Sequence, residues 1–153
     1  GEQAQSLVEA CLFDPLGHRS WGTHRGTEFN DDVTLDARYG GRKNFTEFAN
    51  ANMLIFAQVE SYRGYENIDA ILTVEGLSAI TWGQNDLALS MHMPGEGLDN
   101  PEIIRLHADM EARSRAVGKG LMSDFHVMVS LQDIIVQGGR EFVADHADDV
   151  FPG

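Results

Sequence analysis

The sequence is poor in the residue types that mark oxidised, membrane-bound or nucleic-acid-bound proteins. One cysteine, Cys11, occurs in 153 residues, which excludes an internal disulfide and suits a reducing compartment. Set in an apolar helical pattern, it reads more readily as a small core residue than as a nucleophile. Lysine and arginine together number 11 against 24 aspartates and glutamates, for a formal net charge of −13. Phosphate backbones and anionic bilayers select clustered basic side chains, so no nucleic-acid partner and no membrane partner is expected, and part of the acidic excess is available to a divalent cation. No apolar run approaches the roughly eighteen residues of a membrane-spanning helix. The first residues also lack the basic-then-apolar design of a signal peptide, so a soluble, cytoplasmic protein is expected. None of His18, His24, His92, His107, His126 and His146 has the His-Glu-x-x-His spacing of a zinc site. There is no linker, repeat or low-complexity tract, and at 42% hydrophobic and 23% charged residues the composition is that of one globular domain over residues 1–153.

What is present is organised around Leu54 to Met91. Leu54 to Val59 is an almost uncharged run suited to one buried strand, and Tyr65, Ile68, Ile71 and Leu72 then recur at helical spacing. Leu77 to Trp82 is a second short apolar run. Strand, helix and strand within about thirty residues make a βαβ unit, which sets the two strands parallel with their C-terminal ends on one side of the sheet. Glu60 and Asp86 follow those two ends and are expected to be neighbours on the edge where parallel α/β folds bind ligands.

The flanking chain is less regular. Gly1 to Cys11 reads as a helix through Leu7, Val8 and Cys11, and Phe13 to Asn44 as a long loop of functional or interface type. Asn44 is expected to cap a short helix carrying Phe45 and Phe48. Asn100-Pro101-Glu102 is a helix start, with Ile103, Leu106, Met110 and Val117 toward the core and a stop at Gly118. Lys119 to Ser123 reads as a short strand, Ser130 to Val136 as a helix closed by Gly138-Gly139, and Glu141 to Ala144 as a last strand. The expected order is one helix, a loop, then βαβαβαβ. Such right-handed repeats build either an open doubly wound sheet or a (β/α)₈ barrel, and the pattern alone does not decide between them. Four strands cannot close an eight-stranded barrel, so the chain is expected to be the later half of a larger domain.

Alternation along the first strand puts Phe56, Gln58 and Glu60 on one face and Ile55, Ala57 and Val59 on the other. A hard cation such as Mg²⁺ or Mn²⁺ takes one or two carboxylates and fills its other positions with water or substrate oxygens. Glu60 and Asp86 are candidates for those two ligands, and Gln58 for a hydrogen bond to a bound water or substrate oxygen. Spacing leaves a plainer alternative equally open, in which Glu60 caps the following helix and Asp86 the turn at Leu87. Trp82 reads as core, His107 as a solvated residue of an outer helix, and Arg19 as a substrate, subunit or loop-fixing contact. His146 and Asp148 are expected on the edge beyond the last strand.

Gln58-Val59-Glu60-Ser61, Asn67-Ile68-Asp69-Ala70-Ile71-Leu72, Val74-Glu75-Gly76-Leu77 and Gly83-Gln84-Asn85-Asp86-Leu87-Ala88-Leu89-Ser90, with Asp14-Pro15-Leu16-Gly17-His18-Arg19-Ser20 upstream, resemble the motifs of the HpcH/HpaI aldolase/citrate lyase family. The resemblance runs in order from about Leu7 to Val143. It implies the later half, about strands 5 to 8, of a (β/α)₈ TIM barrel of the phosphoenolpyruvate/pyruvate type. It implies a divalent-metal-dependent carbon–carbon lyase that cleaves a 4-hydroxy-2-oxo acid to pyruvate and an aldehyde through a metal-bound pyruvate enolate. It further implies Glu60 and Asp86 as ligands of Mg²⁺ or Mn²⁺, with Co²⁺ as a further candidate, and Gln58, Asn85 and Asp86 as substrate-binding residues. The backbone N–H groups of Asn85 and Asp86 would hold the substrate carboxylate. The acid-base His and the pyruvate-binding Arg of the family have no counterpart in this segment, and the family's hexameric habit implies a homo-oligomer. A citryl- or malyl-CoA lyase-like activity, or a catalytically incomplete barrel piece serving assembly, are the alternatives. Asp14, Ser20, Gln84, Ala88 and His92 depart from the family pattern, in ways that bear on aldehyde specificity and loop shape.

Overall fold

A computed structural model describes residues 1–97, 99–125 and 130–147. The chain divides into two compact units, Gly1–Met122 and Ser123–Gly153. In the first unit, helix α1 (Glu2–Cys11) is followed by a segment holding a short 3₁₀ turn at Arg25–Asn30, α2 (Asp32–Tyr39) and α3 (Arg42–Ala51). Then come β1 (Phe56–Val59), α4 (Tyr62–Glu66), α5 (Ile68–Leu72), β2 (Ala79–Trp82), α6 (Gln84–Ser90), α7 (Pro101–Ala116) and β3 (Gly120–Leu121). The three strands form one parallel sheet in the order β1-β2-β3. Phe56 faces Ala79 and Val59 faces Trp82 along the first pair, so the expected βαβ unit is present with its two C-terminal ends side by side, its single expected crossover helix broken at Asn67 into α4 and α5.

Chain-local chemistry sets the helix limits. Asn100 accepts the Glu102 N–H at 2.9 Å and Pro101 opens α7, which stops at Val117 before Gly118 adopts φ 75°. Pro loses no helical bond at that first position, and glycine takes the left-handed exit without a Cβ penalty. Ser61 caps α4 by accepting the Gly64 N–H at 3.1 Å. Asp31 caps α2 in the same manner through the Thr34 N–H.

The main core is aliphatic. Ala57 and Val59 of β1 and Ile80 of β2 pack with Ile68, Leu72, Leu87, Ile103, Leu106, Met110 and Leu121. Trp82 and Cys11 pack against this core from its margin, as their apolar settings led one to expect. A second, separate cluster gathers Phe13, Leu35 and Phe45, with Trp21 and Tyr39 against it.

Several expectations are corrected. The stretch from Phe13 to Asn44 is not a plain loop, since it contains α2 and the 3₁₀ turn. Asp31 and the Gly40-Gly41 exit supply its helix signals at a length too short to give a clear period. The next helix starts at Arg42, and Asn44 sits inside its first turn with its side-chain N–H donated to the Gly40 carbonyl at 3.1 Å. Val117 is 56% exposed rather than buried, because the helix has already ended and the chain is turning out. The strand at Lys119 shrinks to Gly120–Leu121, and Met122–Asp124 turn into a 3₁₀ segment. In the second unit, Gly138-Gly139 does not close a helix. Helix α8 runs unbroken over Leu131–Asp145 and absorbs the strand expected at Glu141 to Ala144, so three strands are found among the described residues rather than four. Leu131, Ile134, Ile135, Phe142 and Val143 recur at helical spacing across the two glycines. Their helical cost of about 1 kcal/mol each is one a 15-residue helix can carry. Among the described residues no helix is long and apolar enough to cross a membrane.

Candidate functional site

The C-terminal ends of β1 and β2 carry the candidate groups. Alternation along β1 buries Ala57 and Val59 and leaves Gln58 exposed on the other face, with Glu60 exposed at its exit. The Gln58 side-chain N–H donates to Glu60 Oε2 at 2.7 Å, so the two residues separated by one strand position form a clasped pair. Beside them the Gly83 N–H donates to the Val59 carbonyl at 3.1 Å, extending the β1–β2 pairing past its last register pair.

Gly83 has no room for a side chain. A Cβ there would stand 2.8 Å from Glu60 Cβ and 2.9 Å from Gln58 Nε2, so its missing side chain makes the space that the Gln58–Glu60 pair occupies. The chain turns at once into α6, whose first bond at this end runs from the Leu87 N–H to the Gly83 carbonyl at 2.8 Å. Asn85 and Asp86 therefore occupy the first turn, where backbone N–H groups have no helical acceptor. Asp86 is exposed, and no hydrogen bond or ion pair is found for its carboxylate among the described residues.

The capping alternative for Glu60 is not what the structure shows. Ser61 performs that task, and the carboxylate bonds instead to Gln58. Two exposed carboxylates at adjacent strand exits, one clasped by an amide, are a hard-oxygen donor set of the size that Mg²⁺ or Mn²⁺ takes from protein. Among the described residues no cluster of three or more His, Cys, Asp or Glu side chains forms a fuller cage. Water or a ligand would have to complete the coordination.

The other singled-out residues lie elsewhere. Arg19 stacks over the Phe13 ring at 4.5 Å and donates to the Gly26 carbonyl at 3.2 Å, which fixes the loop around it. Lys119 Nζ donates to the Val74 and Leu77 carbonyls at 3.0 and 2.7 Å. That places it in the turn before β2, at the opposite end of the sheet from Glu60, and burial pushes its pKa down. Lys43 lies on α3 beside Glu47. His18 and His24 belong to the segment before α2, and the His24 ring accepts the Gly26 N–H at 3.0 Å. His92 follows α6 with φ 63°, a left-handed conformation that glycine would adopt more cheaply.

His107 is not a solvated residue of an outer face. Its ring centroid lies 3.5 Å from that of Trp82, and Nε2 is buried without a partner. Burial holds its pKa below the ordinary imidazole value, while Glu111 one turn later pulls it up. The helical period carries a signal of this, since His107 stands four residues after Ile103 and three before Met110 and so shares their inner face, but a polar ring there reads as solvated. His146 stacks on Phe142 within α8 and its Nδ1 is 2.8 Å from the Phe142 carbonyl. It therefore follows a helix and not a strand. His126 and Asp148 lie outside the described residues.

Comparison with known proteins supplies the family and the fold. The family model described as HpcH/HpaI aldolase/citrate lyase matches residues 1–149. The chain is 36% identical over 118 residues to the 2-keto-3-deoxy-L-rhamnonate aldolase of Salmonella paratyphi B, covering 77% of this chain and 41% of that protein. It thus spans about two fifths of the length of the curated relatives it matches. Among solved structures, an HpcH/HpaI aldolase/citrate lyase family protein from Burkholderia cenocepacia J2315 superposes with a TM-score of 0.63 at 26% identity, over 78% of this chain and 44% of the other. An HpcH/HpaI aldolase from Desulfitobacterium hafniense DCB-2 gives 0.60 at 21% identity over 87% and 47%, a likeness of fold.

Proposed function

This chain belongs to the HpcH/HpaI aldolase/citrate lyase family, and on that premise we propose that it is the strand-5-to-8 part of a (β/α)₈ barrel from a divalent-metal-dependent carbon–carbon lyase. The complete protein cleaves a 4-hydroxy-2-oxo acid to pyruvate and an aldehyde. The 2-keto-3-deoxy acid named for the Salmonella relatives belongs to the same broad class of 2-oxo acids. The complete protein acts in the cytoplasm as a homo-oligomer.

The observation that carries this reading is the division of labour after β1. Ser61 takes the cap of α4 and leaves the Glu60 carboxylate to Gln58, next to the turn that presents Asp86, whose carboxylate has no bond among the described residues. Glu60 and Asp86 would hold the cation, Mg²⁺, Mn²⁺ or Co²⁺. When bound, such a cation supplies Lewis acidity toward the oxygens of a 2-oxo acid. Gln58 fixes the Glu60 oxygen it bonds and offers its amide toward a substrate oxygen. The N–H groups of Asn85 and Asp86, left without acceptors by their place in the first turn of α6, are donors for a substrate carboxylate. Within this segment a Schiff-base route finds no lysine at this edge, because its two lysines, Lys43 and Lys119, are bonded elsewhere.

Calorimetry with Mn²⁺ on the complete protein tests the reading. Glu60→Ala and Asp86→Ala should each weaken binding at least tenfold, and chelator should abolish exchange of the pyruvate methyl protons with deuterated water. Unchanged Mn²⁺ affinity in both variants, or a borohydride-trapped pyruvate adduct, would overturn it.

A further inference from the structure

The two exits that carry Glu60 and Asp86 are tied to each other by one hydroxyl at the far end of α6. The Tyr62 N–H, two residues beyond Glu60, donates to Ser90 Oγ at 2.8 Å. The Ser90 hydroxyl in turn donates to the Leu87 carbonyl, one residue beyond Asp86, at 2.7 Å. A hydroxyl has one proton to give and lone pairs to receive, so a single oxygen accepts from the chain leaving β1 and donates to the chain leaving β2. The Tyr62 N–H is one of the orphan donors of the first turn of α4. The Ser61 side chain already serves the Gly64 N–H, so the Tyr62 donor depends on a residue from another element.

We propose that Ser90 is a positioning residue that sets the separation of the Glu60 and Asp86 carboxylates by bridging the Tyr62 N–H to the Leu87 carbonyl. The inference rests on the reading of those carboxylates as the cation pair. Tyr62 and Glu60 are separated only by Ser61, and Leu87 is bonded back to Gly83 at 2.8 Å, the residue against which Glu60 is packed. The bridge therefore closes a ring through Ser90, Tyr62, Glu60, Gly83 and Leu87. Cutting it leaves the β1–β2 pairing in place and frees the Glu60 exit to move relative to Asp86. Neither end of the bridge is one of the groups assigned to substrate or cation, so the effect falls on how well the pair is arranged and not on its chemistry. Groups that orient metal ligands from behind weaken affinity by about 10- to 100-fold when lost, and an exposed backbone bridge belongs at the lower end.

The test compares Ser90→Ala and Ser90→Thr with the unsubstituted complete protein by amide hydrogen exchange and Mn²⁺ calorimetry. Ser90→Ala should speed exchange at the Tyr62 amide about tenfold or more and raise the Mn²⁺ dissociation constant by a similar factor. Ser90→Thr, which keeps the hydroxyl, should restore both. A role confined to stability would lower the melting temperature of Ser90→Ala with Mn²⁺ affinity unmoved, and that result overturns the proposal. Unchanged Tyr62 exchange in Ser90→Ala overturns it as well. Absence of Mn²⁺ binding in the unsubstituted protein removes the cation reading itself, and with it the role of Ser90 in arranging ligands, whatever the amide shows.

Discussion

Beneath the sheet edge, burial is aliphatic and continuous, whereas the segment between α1 and β1 is held by a few rings and a mesh of local polar bonds. Ile80, Leu106 and Met110 are fully covered in the first region. In the second, the Phe13, Trp21 and Phe45 rings meet at 5.4 to 6.3 Å. There the Asn50 side chain pairs with both the N–H and the carbonyl of Phe13, at 2.8 and 3.0 Å. Glu28 gathers Arg38 and the Tyr39 hydroxyl at 2.7 and 3.1 Å. Among the described residues each region also holds a buried polar atom without a partner, His107 Nε2 in the first and Asn30 Oδ1 in the second. The contrast teaches that the candidate site stands on the aliphatic region, where strand pairing fixes geometry, and that the aromatic region is a separately supported annex.

The strongest test of that separation is a pair of truncations. Phe45→Ala should cost about 3–5 kcal/mol and Leu106→Ala about 2–5 kcal/mol. Because the two side chains belong to different clusters, the double variant should add to within about 0.5 kcal/mol in urea unfolding. Coupling well above that figure would show one core and not two. Phe45→Ala should also leave Mn²⁺ affinity within about twofold, since its cluster is separate from the one that holds Ala57 and Val59 of β1 and Ile80 of β2.

Gly83→Ala sharpens the comparison from the other side. The added methyl would meet Glu60 Cβ at 2.8 Å, an atom fixed to the backbone that cannot swing aside. Overpacking of this kind costs about 1–3 kcal/mol. The variant should lose Mn²⁺ affinity along with stability, where Phe45→Ala loses stability alone. A Gly83→Ala protein that binds Mn²⁺ normally would mean that the Gln58–Glu60 clasp can shift without consequence.

The same contrast explains what could be read from the chain. Leu54 to Trp82 announces its strands and crossover because aliphatic side chains at strand and helix periods are the physical cause of the βαβ unit. Glu60 and Asp86 follow from it as strand exits. The annex was opaque because its order comes from long-range partners: Asn50 and Phe13 are 37 positions apart, and three successive residues, Glu28, Phe29 and Asn30, take left-handed backbone angles that no periodicity encodes. Glu141 to Ala144 misled for a different reason. A short apolar run after two glycines suits a strand or a helix equally, and neighbours decide. Ser90 was visible as a letter of a motif, but its bridging role depends on Tyr62, 28 positions earlier, and only the folded chain brings the two together.

The smallest effect expected is a pH dependence, and it belongs to the aliphatic region. His107 packs on Trp82 with Nε2 buried and unpartnered. Burial therefore lowers its pKa in the folded protein, against a smaller upward pull from Glu111. In the unfolded chain the imidazole titrates near its ordinary value of about 6.5. Below that pH the unfolded state takes up a proton that the folded state resists, so this residue's support for the fold is intact above about 6.5 and is lost as pH falls through the lower, folded value. His107→Phe keeps a ring against Trp82 and removes both the titration and the orphan nitrogen, a change that can be close to neutral when no partner is lost. The other histidines are common to both proteins and cancel in the difference. Urea midpoints at pH 7.5 and 5.5 should therefore show His107→Phe gaining on the parent as pH falls, with little separation at the higher value. Parallel midpoints at both pH values would mean that protonated His107 finds a partner, and Glu111, one turn along α7, is the group placed to provide it.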